Sequence, residues 1–180
     1  MQRTIVVPAE LPVAALDELK QWLAIRSSSD DAALAALMRT ALEVCEAFTG
    51  AMPIVCTCED IHPASGEWQA LSVRPVQSIT GVEAIPAEGA RYSLAPDAYA
   101  IELEADGTGL VRVTRQGSAG RVAVRFIAGL APTWETLPEG LRHGILRLAA
   151  HHWRERDSAA DAAPPAAVAA LWRPWRRMRL

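Results

Sequence analysis

The chain has 180 residues, 51% of them hydrophobic and 22% charged, with a formal net charge of −3. That mix suits a globular protein able to bury its own core, and no apolar run approaches the roughly 20 residues needed to cross a bilayer, which excludes a membrane-spanning role. The charge is uneven: residues 142–180 hold eight arginines against Glu155, Asp157 and Asp161, a surplus of +5 that leaves −8 on the rest, and an acidic body with a basic end suits protein docking better than wrapping nucleic acid.

The stretch Met1–Pro8 is too short, and too soon broken by proline, for the apolar region of a secretory signal, so the chain is expected in the cytoplasm of its producer. Cys45, Cys56 and Cys58 are an odd number and make no disulfide framework, which agrees with a reducing compartment. A first helix is predicted from about Pro12 to Ile25, where Val13, Leu16, Leu19 and Leu23 recur at helical spacing and Ser27-Ser28-Ser29 follows. A second begins at Asp30 or Asp31, either of which can cap it. It places Leu34, Leu37, Met38, Ala41, Cys45 and Phe48 on one face before Gly50 closes it. Each helix has one apolar stripe, which predicts an antiparallel pair.

From Pro53 to Leu130 the period falls to about two. Runs such as Trp68–Leu71, Ser78–Val82, Tyr99–Leu103, Leu110–Val113 and Val122–Phe126 read as strands. Turn signals at Ala105–Gly109 and Gln116–Gly120 separate them at the spacing of a meander, which predicts one small antiparallel β module inserted between helices.

Helix returns near Pro138, with Leu141, Ile145, Leu148 and His152 on one side and Leu146, Ala150 and Trp153 widening the stripe, and it is predicted to reach about Asp157. Ser158–Pro165 is a low-complexity linker ended by paired prolines. Pro165 can start a last helix through Trp172, which Pro174 must end or kink. The fold class expected is α+β: a bundle of two N-terminal and two C-terminal helices with an inserted small antiparallel β module. Its parts are a helical pair at 1–52, the β module at 53–130, a helix completing the bundle at 131–157, and a linker with a C-terminal helix and tail at 158–180.

Catalytic and metal chemistry find little support. Cys56, Cys58, Asp60 and His62 alternate strictly and share one face if they lie on a strand. Four such positions span about 20 Å, whereas zinc gathers its ligands within about 2.0–2.3 Å of one point. His151 and His152 are adjacent on a helix and point about 100° apart, unlike the i, i+4 pair of a helical zinc site. Asp30-Asp31 and Glu43 with Glu46 read as a helix cap and a solvated face. No Gly-x-Ser-x-Gly elbow, cysteine–histidine pair or phosphate-binding glycine loop is evident. No catalytic residue, cofactor or metal is therefore assigned.

The last ten residues, Leu171 to Leu180, put two of the six tryptophans and four arginines on a terminus without an acid. Tryptophan and arginine dominate binding hot spots because each offers a flat face plus hydrogen-bond donors. The tail therefore points to a partner. A competing reading has the same residues grip a nucleic acid strand by charge and stacking, and a third folds Trp172 and Trp175 back onto their own domain.

Taken in order, several motifs resemble the phage head-tail connector (adaptor) family, including the adaptors of gene transfer agents. They are Leu19-Lys20-Gln21-Trp22-Leu23, Asp30-Asp31-Ala32-Ala33-Leu34, and the helix end Glu46-Ala47-Phe48-Thr49-Gly50. Arg74–Val82 is similar to the family's entry into its β region, and Val124–Leu130 with Leu137–Leu146 to its closing strand and proline-started helix. Trp153-Arg154-Glu155-Arg156 and Leu171–Arg176 match the helix end and tail, although Trp172 and Trp175 stand where a second leucine and a tyrosine are the pattern.

The resemblance implies a structural, non-enzymatic protein. It would form a ring of twelve copies beneath the portal of a phage-like capsid, receive a stopper or tail terminator on its other side, and pass packaged DNA through its lumen. It also implies assembly in the cytoplasm and a final place at the head-tail junction of the particle. On that reading the portal-binding residues are Val168, Leu171, Trp172, Arg173, Pro174, Trp175, Arg176, Arg177, Met178 and Arg179. An acidic body suits a channel through which DNA slides without sticking.

Overall fold

A computed structural model describes residues 2–115, 117, 119–155 and 163–176. Among them are four α-helices and two antiparallel sheets, an α+β fold. The chain divides into two compact units, residues 1–9 with 55–130 and residues 10–54 with 131–180.

The β unit holds eight strands: β1 (Gln2–Val7), β2 (Cys56–Pro63), β3 (Gln69–Ala70), β4 (Val76–Ile85), β5 (Tyr92–Ser93), β6 (Tyr99–Leu103), β7 (Gly109–Val113) and β8 (Arg121–Ala128). They form two sheets, ordered β1-β2-β8-β4-β5 and β3-β7-β6, rather than the single meander that turn spacing suggested. The reason lies in β8. Val122, Val124, Phe126 and Ala128 give it one fully buried apolar face, whereas Arg121 and Arg125 stay exposed on the other on either side of buried Ala123, so β8 lays a single face on the core with a strand on each side. It takes β2 along one edge and β4 along the other, with Phe126 opposite Cys58 and Val124 opposite Val82.

The predicted turn at 105–109 forms between β6 and β7. Asp106 Oδ1 accepts from the Thr108 amide at 2.7 Å, and Gly107 sits at φ 82. A side chain at Gly107 would also strike Pro75, whose Cβ lies 2.6 Å from the position a Cβ would take, so the turn needs glycine for both conformation and space.

Strand β1 was not anticipated, since six residues before a proline offer little period to read. Ile5 pairs with Cys58 and Thr4 with Glu59, which attaches residues 1–9, expected with the helical pair, to the β unit.

The helical unit holds α1 (Val13–Leu23), α2 (Asp31–Thr49), α3 (Glu139–Arg154) and α4 (Ala166–Trp172), followed by one 3₁₀ turn at Arg173–Trp175. Ala24, left-handed at φ 57, ends α1 before the serines are reached. Of the expected α1 stripe only Leu19 is fully buried, beside Ala15, while Val13 is exposed. Helix α2 buries Leu34, Met38, Ala41, Cys45 and Thr49, with Leu37 and Phe48 half-buried at the edges of the stripe. Asp30 occupies the N-cap position without a side-chain cap bond, and Asp31 instead accepts from Lys20 Nζ at 2.7 Å. Gly50, at φ 74, closes the helix by donating to Glu46 O.

Helix α3 contacts each of the other three helices. That position explains its broad stripe: Leu141, Gly144, Ile145, Leu146, Leu148, Ala149 and Ala150 are all buried. It ends at Arg154, three residues before the expected limit; residues 156–162, which include 158–162 of the expected linker, lie outside the described residues. Trp134, just before α3, is fully buried.

Candidate functional site

The C-terminal segment is the strongest functional candidate, and the structure divides it into two parts. Pro165 stands at the N-cap of α4, so the short helix begins where proline's fixed φ is tolerated. Val168 and Trp172 are buried and Leu171 is half-buried. Trp172 is held on several sides: its Nε1 donates to Leu141 O of α3 at 3.3 Å, and its ring lies 5.9 Å from that of Phe48 on α2.

The seat for Trp172 is made by Gly144. A Cβ at that position would lie 2.8 Å from Cδ1 and Cε2 of Trp172 and closer still to Nε1, so only glycine admits the indole. One turn earlier, a Cβ at Gly140 would meet Leu171 O at 3.4 Å and Trp175 Nε1 at 3.7 Å. Gly144 thus opens the seat on α3, and Gly140, four residues before it, lies beside α4 on the same helix face with room for a Cβ at ordinary contact distance. Sequence reading passed over this pair. The available signal was helix-interior glycine itself, which costs about 1 kcal/mol against alanine and calls for a packing reason.

Beyond Trp172 the chain turns outward. Pro174 sits in the 3₁₀ turn, ending the α-helix as expected, and Arg173, Pro174, Trp175 and Arg176 are exposed. The Arg176 guanidinium lies 5.2 Å from the centroid of the Phe48 ring, within range of a cation–π contact. Arg177, Met178 and Arg179 lie outside the described residues. Of the ten tail residues singled out from sequence, Val168 and Trp172 are therefore occupied inside their own unit. Arg173, Pro174, Trp175 and Arg176 are presented to solvent.

The alternating row Cys56, Cys58, Asp60 and His62 does lie on one face of β2, and all four side chains are buried. Asp60 accepts from the Ser72 amide at 2.6 Å and the Ser72 hydroxyl at 2.7 Å, with His62 Nε2 3.7 Å away. Burial pushes the Asp60 carboxyl up, but His62 and the two Ser72 donors together outweigh it and hold the group below its ordinary value. The Cys56 and Cys58 sulfurs are 3.5 Å apart; that hydrogen bond and burial raise the Cys58 thiol far above its usual range. Among the described residues no group of three or more His, Cys, Asp or Glu could hold a metal ion. The row acts as a buried polar tie between β2 and the segment at Ser72.

His151 and His152 diverge on α3, with ring centroids 5.9 Å apart, and His151 Nε2 lies 3.1 Å from Glu155 Oε2. Burial, then the neighbouring His151, lowers the His152 pKa against an opposing effect of Glu155.

No protein-family model and no curated protein matches the chain. Solved structures do. A chain from the neck of a native gene transfer agent (GTA) particle computed with C12 symmetry is 27% identical with a TM-score of 0.76, and one from the virion of a native GTA particle is 26% identical with a TM-score of 0.73. A third, from the neck of an empty GTA particle computed with C6 symmetry, has a TM-score of 0.78 at 24% identity and shows the fold. Each comparison covers 100% of this chain and 97% of the other. The chain has the fold of GTA neck chains. That likeness supports a structural head-tail connector-type protein in a phage-like particle.

Proposed function

We propose that this protein is a head-tail adaptor: a ring, of twelve copies, fixed between the portal of a phage-like capsid and the next tail component, with packaged DNA passing through its lumen. The observation that carries the reading is the end-to-end likeness to chains of GTA necks, one of them computed with C12 symmetry. An excess of −8 on the chain before residue 142 suits a lumen from which DNA is repelled rather than gripped. The role needs no catalytic group, and the buried polar row on β2 has a structural task in Asp60 and Ser72.

Portal docking is assigned to the outward part of the tail: Arg173, Pro174, Trp175 and Arg176, continuing into Arg177, Met178 and Arg179. An exposed tryptophan among arginines supplies the flat apolar face and fixed donors of a binding hot spot. Val168, Leu171 and Trp172 anchor that segment on α3. Their direct insertion into a portal would require α4 to leave Gly140 and Gly144.

Imaging of the protein mixed with portal tests the reading. Rings with the C-termini against the portal are expected, and a triple variant R173E/W175A/R176E should remain folded yet fail to dock. Docking unaffected by that variant would remove the assignment. A nucleic-acid-binding tail is the alternative carried by exposed Arg173 and Arg176. It requires tight binding by the isolated protein that weakens steeply with salt in a gel-shift series.

A further inference from the structure

Among the described residues, two strands of the β unit have long edges with no strand beside them, and both carry apolar side chains into water. In β1, Ile5, Val6 and Val7 are 42%, 41% and 55% exposed, and Arg3 to Pro8 are exposed on both faces of the strand. β1 pairs with β2 on one side and closes the five-stranded sheet, so its other edge is open. In β6, Ile101 and Leu103 are 45% and 48% exposed, with Glu102 between them also exposed. β6 ends the three-stranded sheet in the same way. Edges of this kind are normally blunted by charge, proline or brevity, because they are templates for pairing. Here the register shift between Ile5 and Val7, followed by Pro8, limits β1 at one end only.

The other edges fit less well. β3 and β5 have two residues each, and β4 is partly covered by β5 on its outer side and bulged at two places against β8. The two long edges also differ in charge. β1 carries Arg3 and no acid, whereas the run from Tyr99 to Gly109 carries Glu102, Glu104 and Asp106 and no base. Glu102 and Glu104 are exposed. An edge that meets a different edge on the next copy makes a head-to-tail contact, which generates a closed ring when the rotation permits.

We infer that β1 of one copy adds to the β6 edge of a second copy of this chain, so that the two open edges form the repeated contact between neighbours. Backbone hydrogen bonds would supply the affinity. In an antiparallel pairing that sets Arg3 opposite Glu102, Thr4 falls opposite Ile101, and Val7, carried to the face of Thr4 by the register shift, joins the side of Ile101 and Leu103. A contact between strands of five or six residues is small beside the roughly 1,200–2,000 Å² of a stable interface. Association through it is therefore expected to be weak for a pair and to be consolidated by ring closure.

This inference rests on the ring proposed above, and cysteine cross-linking separates the two. The native thiols are buried, so Thr4→Cys combined with Ile101→Cys or Leu103→Cys introduces the accessible pair. Oxidising the full-length variant, concentrated alone and mixed with portal, should give a ladder of multimers that neither single variant gives. Glu102→Arg should weaken the ladder with its thermal melting unchanged, and adding Arg3→Glu should restore the ladder. A dimer from Thr4→Cys alone would mean β1 pairing with β1, and capture of portal by Thr4→Cys would mean a different occupant; either overturns the inference. Rings seen by imaging without the cross-link overturn the edge contact while leaving the ring. Absence of any ring, with or without portal, removes both.

Discussion

The indole of Trp172 occupies the space that a side chain at Gly144 would need, and its Nε1 donates to the carbonyl of Leu141 one turn earlier on α3. Three separate elements, α2, α3 and α4, thus depend on one small residue in a helix interior. The tail is positioned by this contact, because the exposed residues begin immediately after Trp172.

Gly144→Ala should therefore destabilise the helical unit although alanine is the better helix former. Overpacking costs about 1–3 kcal/mol, and improved propensity returns only about 1 kcal/mol. Gly140→Ala is the control. Its nearest neighbours would lie at ordinary contact distance, so the propensity gain should remain and leave stability unchanged or slightly raised. Denaturant titration of the two variants checks the contrast.

Trp172→Ala should cost about 3–5 kcal/mol, the usual range for removing a fully buried large aromatic. Trp172→Phe keeps most of the contact with Phe48 and loses the hydrogen bond to Leu141 O, for a further cost of about 1 kcal/mol beyond repacking. Trp175→Ala should cost clearly less stability than Trp172→Ala, since Trp175 is 38% exposed with Nε1 near Gly140, and should weaken portal docking. Melting and docking measured on the same three variants separate anchor from contact.

Asp60 should make the β unit sensitive to acid. Its folded pKa lies below the ordinary value, so its stabilising contribution is complete above the unfolded value of about 3.9 and is lost as pH falls through the folded one. Asp60→Asn leaves a Ser72 donor without its charged acceptor and should cost about 1–3 kcal/mol at pH 7. The gap between variant and parent should narrow as pH is lowered below about 4. Chemical denaturation across that range checks the sign: a gap that widens on acidification would contradict it.

The three thiols should be silent toward a disulfide-exchange reagent in the folded protein. Burial, reinforced by the nearby Glu46 carboxylate, pushes the Cys45 thiol up to about 12, and the thiolate is the reactive form. Cys56 and Cys58 are likewise buried. Titration at pH 8 should count no reactive thiol before denaturant is added and three afterwards.

Much of the architecture was legible because it is local. The α2 stripe through Leu34, Met38, Ala41 and Cys45 carries its 3.6 period in the chain itself, and the turn at 105–109 is written in Asp106 and Gly107. The order of strands was not. A turn reports that the chain reverses, whereas the place of β8 between β2 and β4 depends on which apolar faces meet across separations of 36 to 72 residues.

The tail shows the same division. Composition alone marks residues 171–180 as rich in tryptophan and arginine, and so as a segment with a use for flat faces and donors. Amino-acid type could not say which tryptophan turns inward, because Trp172 and Trp175 have the same chemistry and stand three residues apart. The tertiary structure decides it through space: Gly144 opens a seat for one indole, Leu141 supplies its acceptor, and the turn at Pro174 carries the other into solvent. Periodicity, caps and charge balance are properties of neighbouring residues, and the sequence determines them by itself. The seat for Trp172 and the open edges of β1 and β6 exist only once distant segments have packed.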